Sequence, residues 1–438
     1  MRDKQKAVRV GIVGLGTVGG GAFRLLSENA DEIARRTGRP IVVSHVGARR
    51  DNPQCLTGSV RVSRDVFDVV HDPDIDIIVE VMGGTTTARE VVTQAILQGK
   101  HVVTANKALL AEHGNEIFAL AEKQGVYVAF EAAVAGGVPI IKVLREGLAA
   151  NRIEWLAGII NGTGNYIMTE MLEKGRDFYE VLKEAQSLGY AEADPSFDVE
   201  GTDAAHKLTI LASLAFGIPL QFKKVYTEGI TRLTAEDVAY ASELGYHIKH
   251  LGIARRTQQG IELRVHPTLI PEARLISNVH GVKNAVLVVS HPVGPTLYYG
   301  AGAGAGPTAS AIVADLVDVA RAMAEGAGSR VPHLAFQPDA LDDTRVLAMD
   351  EVCTAYYLRL QANDRPGVLA EVTRILSQHG ISIEAILQKA AHAAGRVPVI
   401  LLTKVVQEAA MNAAIAEIEA LEDILDHVVR IRLENLDA

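Results

Sequence analysis

Cysteine is nearly absent: two residues in 438, Cys55 and Cys353. They show no ligand spacing, so neither a disulfide framework nor a thiolate metal centre is expected. Basic charge in excess is lacking too. Lys and Arg total 43 against 53 Asp and Glu, for a formal net charge of −10. That argues against the nucleic-acid backbone as a partner and leaves small anions open. No apolar run follows the charged start (Arg2, Asp3, Lys4, Lys6), so no signal peptide is expected. No stretch has the uncharged length of a membrane span. There is no internal repeat and no long low-complexity tract. What remains is the composition of a globular protein, 48% hydrophobic and 22% charged, long enough for two to four domains. A cytoplasmic enzyme without membrane partners is the expectation.

Glycine is what the chain does have, and its first cluster is ordered. A short apolar run ends in Gly14-Leu15-Gly16-Thr17-Val18-Gly19, and a helical pattern with Phe23, Leu25 and Leu26 follows. In a G-x-G-x-x-G fingerprint the first glycine makes the tight turn and the second admits a pyrophosphate. The third lets helix and strand pack closely. Strand before and helix after are the context that makes this a dinucleotide site.

The next strand, Ile41 to Val46, selects the dinucleotide. NAD(H) sites place an acid at its end, for the ribose hydroxyl. Here the strand runs into Gly47-Ala48-Arg49-Arg50. Two guanidiniums suit a 2′-phosphate, so NADP(H) is preferred, with NAD(H) as the alternative. Further strands at 75–81, 101–105 and 126–130 alternate with helical stretches, which predicts a parallel sheet with helices on both faces. Ligands of such sheets bind outside the carboxyl ends, near Gly83, Gly84, Thr85, Asn106, Lys107 and Glu131.

Residues 131 to about 320 mix helices with β-branched strands and read as an α+β domain with an open sheet. The run Gly300 to Pro307 reads equally as a linker or as a backbone cover over a ligand. Residues 327–350 have little periodicity and read as a connection. Beyond them, 351–438 reads β-α-β-β-α-β.

The densest chemistry lies in Gly189-Tyr190-Ala191-Glu192-Ala193-Asp194-Pro195, then Asp198, Glu200, Gly201, Asp203 and Lys207. Asp203 and Lys207 stand at i and i+4 on one helix face. They are either an exposed ion pair or, given the apolar run after Lys207, a partly buried pair with a catalytic lysine. Lys107 follows a strand at the ligand edge of the sheet. The Glu131 to Pro139 loop offers small residues and a carboxylate, the oxygen donors that suit a hard cation. By spacing alone, a plain strand-to-helix turn is the simpler reading there.

These blocks, with Glu80 to Gly84, Thr104 to Leu109 and Asn161-Gly162-Thr163-Gly164-Asn165-Tyr166-Ile167, resemble the homoserine dehydrogenase family over nearly the whole chain. The resemblance implies an α/β protein of three parts. These are a Rossmann dinucleotide-binding domain over 1–130, an α+β catalytic and dimerisation domain over 131–326, and, past the linker, a βαββαβ ACT domain over 351–438. It implies nicotinamide-dependent reduction of L-aspartate 4-semialdehyde to L-homoserine, towards threonine, methionine and isoleucine. Lys207, Lys107 and Asp203 match catalytic positions. Glu192 and Asp203 match substrate contacts, with Lys107 and the neighbouring Asp198. Expected cofactor contacts are Gly14, Gly16, Thr17, Val18, Gly19, Arg49, Arg50, Gly84, Thr85, Lys107, Gly189 and Gly306. Glu131, Val134, Gly136 and Val138 match a loop that holds a monovalent cation, Na+ or K+, which reverses the preference for a plain turn. His206 stands where Arg is frequent. With no kinase region ahead of it, the chain resembles the monofunctional form, and a homodimer or homotetramer is expected. The Asn363-Asp364-Arg365-Pro366-Gly367 turn is expected to bind L-threonine as a feedback inhibitor. A chain ending near Asp350 should then stay active and lose that response. The alternatives are another ACT-containing dehydrogenase, such as phosphoglycerate dehydrogenase, or a non-catalytic NADP-linked sensor. The fingerprint at Gly14 speaks against the first, and the two lysines with their carboxylate speak against the second.

Overall fold

The computed structural model describes residues 6–55, 57–325, 331–389 and 396–437. Arg2, Asp3 and Lys4, and the start of the expected connection at 327–330, lie outside the described residues. The chain divides into two compact units, neither contiguous in sequence: 1–162 with 203–225 and 282–344, and 163–202 with 226–281 and 345–438.

In the first unit six parallel strands form one sheet: β1 (Val8–Val13), β2 (Ile41–Gly47), β3 (Arg61–Ser63), β4 (Ile77–Glu80), β5 (His101–Thr104) and β6 (Val128–Ala129). Their order is β3-β2-β1-β4-β5-β6. It reverses direction between β1 and β4, and ligands of such sheets bind outside the carboxyl ends at that point. β4 is buried along its length and β1 almost so, which is why both read as unbroken apolar runs.

The helix Ala305–Glu325 covers this sheet. Its Ala309, Ile312, Leu316 and Ala320 share one core with Val10, Ile12, Val46 and Val79. The expected boundary at 326 put that helix with the catalytic region. It packs instead on helix Thr17–Glu28, where a Cβ on Gly21 would come within 2.7 Å of the Ala305 carbonyl oxygen. Small residues on both helices permit that approach. The linker reading of Gly300 to Pro307 also fails, because strand Gly294–Ala301 and the helix from Ala305 leave only a short turn. That turn is packed: a Cβ on Gly302 would lie 1.5 Å from Asn284 Oδ1. The described part of the connection is tied down as well. Val128 N–H donates to His333 Nε2 at 3.1 Å, and Asp342 N–H donates to the Gly217 carbonyl at 2.7 Å.

In the second unit, strands Tyr246–Arg256 and Ile261–Pro271 pair antiparallel along their whole length. The C-terminal module has the expected β-α-β-β-α-β order: Cys353–Asn363, Val368–Gln378, Ile383–Gln388, Arg396–Thr403, Glu408–Glu419 and Val429–Leu433. Its last strand pairs with Cys353–Asn363 and also, in parallel, with Ile261–Pro271. One core therefore joins Ile167, Phe178, Val199 and Ile230 to Tyr357, Leu402, Ile431 and Leu433. Buried charge crosses the same seam. Arg264 donates to Glu262 at 3.0 Å and pairs with Glu434, which also holds Arg255 at 2.9 Å. A chain ending near Asp350 would lose that strand and leave Arg264 short of a carboxylate. Point variants therefore test regulation better than truncation. No helix among the described residues is long and apolar enough to cross a membrane.

Burial alone would raise the Glu434 pKa, but Arg264 and then Arg255 pull it below the ordinary value. Its contribution to stability is therefore complete at neutral pH and is lost as the pH falls through that depressed value. Glu434→Gln is expected to cost about 3 kcal/mol at neutral pH, read as a lower urea midpoint. The gap from the parent protein should narrow as the pH is lowered. An unchanged midpoint at neutral pH would show that the pair does not hold the seam.

Candidate active site

At the carboxyl end of β1 the three glycines have three different surroundings. Gly14 has φ +104°, and a Cβ there would lie 2.8 Å from the Val81 carbonyl oxygen. A Cβ on Gly19 would lie 2.0 Å from the Gly14 carbonyl oxygen, so strand and helix touch. Around Gly16 there is nothing within 4 Å. Gly16 also starts helix Thr17–Glu28 with no side-chain cap and no acid in the first turn. Its first N–H groups and the positive end of the helix dipole are left for an anion. These are the tight turn, the close packing and the open approach that a pyrophosphate requires.

The cleft here measures about 820 Å³, within the size of small-molecule and cofactor sites. Gly14, Gly16, Thr17, Arg49, Arg50, Gly84 and Thr85 line it. Val18 is half-buried against the core, and Gly19 lies beneath the turn. Gly306 lines a separate groove with Leu25, Asn29 and Lys142. Arg49 and Arg50 are exposed, and neither is in an ion pair with a described residue. The nearest acid along the chain, Asp51, is bridged to Arg64 at 2.8 Å, and Arg64 also donates to the Ala48 carbonyl. Sequence reasoning missed this Arg64 clamp, which joins residues thirteen apart that no local pattern links.

The second feature is a buried carboxylate between two lysines. Lys207 Nζ lies 2.6 Å from Asp203 Oδ2 and donates to the Ile160 carbonyl at 2.7 Å. Lys107 Nζ lies 3.0 Å from Asp203 Oδ1. Asn161 Nδ2 donates to Asp203 Oδ2 at 2.9 Å. Burial by itself would raise the Asp203 pKa, yet Lys207 first and Lys107 second hold it well below the usual carboxylate range. Of the two readings of the i, i+4 pair, the buried one holds: Asp203 and Lys207 are both buried. Lys107 opens helix Lys107–Gln124. Asn106 caps that helix, accepting from Leu109 N–H at 3.0 Å and donating to the Gly84 carbonyl at 2.7 Å. Thr104 Oγ1 bonds buried Glu80 at 2.7 Å and accepts from Asn106 N–H, so the cap is itself braced. The capping role of Asn106 and the contact from Asn161 were not foreseen. An Asn directly before a helical pattern is the signal that would have found the first.

Glu131 is buried, and its carboxylate accepts N–H bonds from Ile141 at 2.9 Å and Lys142 at 2.8 Å. Burial pushes its pKa up to about 7, and that of neighbouring Asp315 to about 8. Ala135 and Gly136, with φ of +53° and +45°, turn the loop that carries Val134 and Val138. The side-chain donors are poor for a multivalent metal: no group of three His, Cys, Asp or Glu gathers among the described residues. One carboxylate with main-chain oxygens suits a hard cation of low charge.

In the second unit Glu192 is exposed, and its carbonyl accepts from Gln186. Asp198 is half-buried in the short helix Ser196–Val199. Gly189, at φ +76°, follows helix Phe178–Ser187. In the C-terminal module Asn363 Nδ2 donates to Asp423 at 2.8 Å, while Asp364 to Gly367 are exposed.

Profiles of known families match three stretches. One described as "Homoserine dehydrogenase, NAD binding domain" covers 14–131, "Homoserine dehydrogenase" covers 139–317, and "ACT domain" covers 356–423. A homoserine dehydrogenase of Pseudomonas aeruginosa is 65% identical over 433 residues, 99% of this chain and all of that one. One of Neisseria gonorrhoeae is 55% identical, covering 98% of this chain and 99% of that one. The crystal structure of a homoserine dehydrogenase from Thiobacillus denitrificans matches with a TM-score of 0.95 at 63% identity, over 99% of both chains. A hyperthermophilic archaeal homoserine dehydrogenase in complex with NADPH matches with a TM-score of 0.61 at 26% identity, over 72% of this chain and 98% of that one.

The glycine geometry separates binding from folding. Gly16→Ala is expected to leave the melting temperature unchanged and to weaken dinucleotide binding about tenfold or more. Gly19→Ala should lower the melting temperature, because its Cβ has no room. Calorimetric binding and thermal melts of both variants check this. Equal melting temperatures for the two would contradict it.

Proposed function

The chain belongs to the homoserine dehydrogenase family, an NAD(P)-dependent oxidoreductase with an ACT domain, and from that premise we propose how its residues work. The observation that carries the reading is the single buried carboxylate of Asp203 shared by Lys107 and Lys207. The reaction is the reduction of L-aspartate 4-semialdehyde to L-homoserine and its reverse. When bound, the nicotinamide cofactor supplies the hydride for reduction and accepts it for oxidation. Negative charge then grows on the aldehyde oxygen, which needs a positive neighbour and a proton. Lys207 supplies both from its ammonium. Asp203, the Ile160 carbonyl and the helix beneath hold Nζ in place. Lys107 adds a second positive charge across the same carboxylate, so the trio carries a net positive charge towards the reacting oxygen. Asn161 steadies the carboxylate without adding charge. Glu192, with Asp198, keeps the substrate contacts that the resemblance assigns.

We assign the pyrophosphate to the Gly14–Gly19 turn and the 2′-phosphate of NADP(H) to Arg49 and Arg50. Support comes from two exposed guanidiniums in the cleft and from the nearby acid being held by Arg64. Glu131, with the carbonyls of Val134, Gly136 and Val138, is assigned to a monovalent cation that would brace the loop. We further propose a cytoplasmic homodimer or homotetramer acting towards threonine, methionine and isoleucine, with L-threonine as feedback inhibitor through the C-terminal module. Exposed Val293 and Tyr299, at the strand Gly294–Ala301, support a subunit contact there.

Lys207→Ala is expected to lower kcat about 10³-fold while leaving the NADPH dissociation constant within about twofold. Steady-state rates and cofactor titration measure the two, and near-normal turnover would remove Lys207 from the chemistry. Arg50→Ala should raise KM for NADPH about tenfold or more and leave KM for NADH nearly unchanged. Equal losses with both cofactors would reject the phosphate role.

A further inference from the structure

The cofactor cleft is built on two separate segments. The glycine turn from Gly14 follows β1, and the loop from Ala48 to Cys55 follows β2. Both line the cleft. One side chain bridges them: Asn52 Nδ2 donates to the Leu15 carbonyl at 2.8 Å and to the Gly16 carbonyl at 3.4 Å. We propose that Asn52 is a positioning residue for the dinucleotide. It aims the glycine turn at the pyrophosphate, and it fixes where Arg49 and Arg50 stand relative to that turn. The second half rests on the reading that the two arginines hold the 2′-phosphate of NADP(H).

Asn52 can transmit position because its own loop is held on either side of it. Its Oδ1 accepts from Gln54 N–H at 2.9 Å, and its carbonyl accepts from Cys55 N–H at 2.9 Å. Arg24, on helix Thr17–Glu28, donates to the Gln54 carbonyl at 2.8 Å. Cys55 is buried on the same helix, where a Cβ on Gly20 would lie 3.3 Å from its Cβ. Ahead of Asn52, Arg64 holds the Ala48 carbonyl at 3.2 Å and Asp51 at 2.8 Å. Arg49 and Arg50 stand between these ties with exposed side chains.

The effect on the turn follows from peptide geometry. A trans peptide points its C=O and its N–H in opposite directions. Holding the Leu15 carbonyl therefore fixes the direction of the Gly16 N–H, at the start of the helix whose first donors face the anion. The residue type matters as much as the place. A carboxamide donates to two carbonyls without bringing charge into a phosphate site. A carboxylate of the same shape would lack the donor and would repel both phosphates. The helix beneath is close as well: a Cβ on Gly20 would lie 2.9 Å from Asn52 Nδ2.

The test is titration calorimetry with NADPH and NADH on the full chain, repeated on two variants. Asn52→Ala removes the donor. Gly20→Ala pushes on the amide from a residue that does not line the cleft. That amide is the free end of a side chain and can give way, so both variants should fold, which thermal melts check. The parent protein should bind NADPH more tightly than NADH. In Asn52→Ala the dissociation constant should rise about threefold for NADH, through the turn alone, and about tenfold or more for NADPH, through turn and arginines together. Gly20→Ala should shrink the preference for NADPH in the same direction. An equal rise for both cofactors would overturn the hold on the arginines, and a rise for NADPH alone would overturn the hold on the turn. No rise for either would overturn the inference and leave the arginine reading standing. Equal affinities in the parent protein would overturn the arginine reading and this inference with it.

Discussion

A carboxylate taken out of water must find positive charge, and Asp203 finds it twice. That constraint organises the first unit. The strand β5 must end where Asn106 can cap the next helix, so that Lys107 arrives at one carboxylate oxygen. The helix Thr202–Phe216 must present Asp203 and Lys207 one turn apart, so that Lys207 arrives at the other. The end of the strand Arg152–Ile159 must place the Ile160 carbonyl and the Asn161 amide beside them. None of these pieces is adjacent in sequence to the other two. Removing the carboxylate would leave two ammoniums facing each other. Removing either lysine would leave part of a buried charge uncompensated.

The cofactor cleft obeys a different constraint, one of space. Gly14 and Gly19 are fixed by what lies against them, and Gly16 by what does not. The same fingerprint therefore combines two structural glycines with one that serves the ligand. The second strand adds charge to space. Arg64 holds Asp51, the acid nearest the arginines, while Arg49 and Arg50 face the cleft.

What could be read in the sequence was what local pattern encodes. The glycine fingerprint, the strand and helix alternation, the β-α-β-β-α-β module and the i, i+4 spacing of Asp203 and Lys207 all lie within short windows, and the structure contains each of them. What could not be read were the pairings across long separations. Nothing near Ala305 says that its helix covers the sheet begun at Val8. Nothing near Arg432 says that it will stand beside Thr268. The run from Gly300 looked like a linker because its glycines suit both flexibility and close packing, and only Asn284 and Gly136 decide between the two. The meeting of Lys107 with Asp203 was visible only through the family resemblance. No periodicity joins residues on separate elements.

The parallel pairing of Val429–Leu433 with Ile261–Pro271 also bears on how the protein is made. A ribosome delivers the chain from its amino end, so that strand emerges after the elements it pairs with. Until it does, Ile230, Val199 and Phe178 lack Ile431 and Leu433 as neighbours, and Arg264 lacks Glu434. The second unit thus cannot close before Val429–Leu433 has been made. A nascent chain stalled anywhere before Val429 carries an unpaired strand edge and an unfinished apolar core, the features that draw chaperones or lead to aggregation.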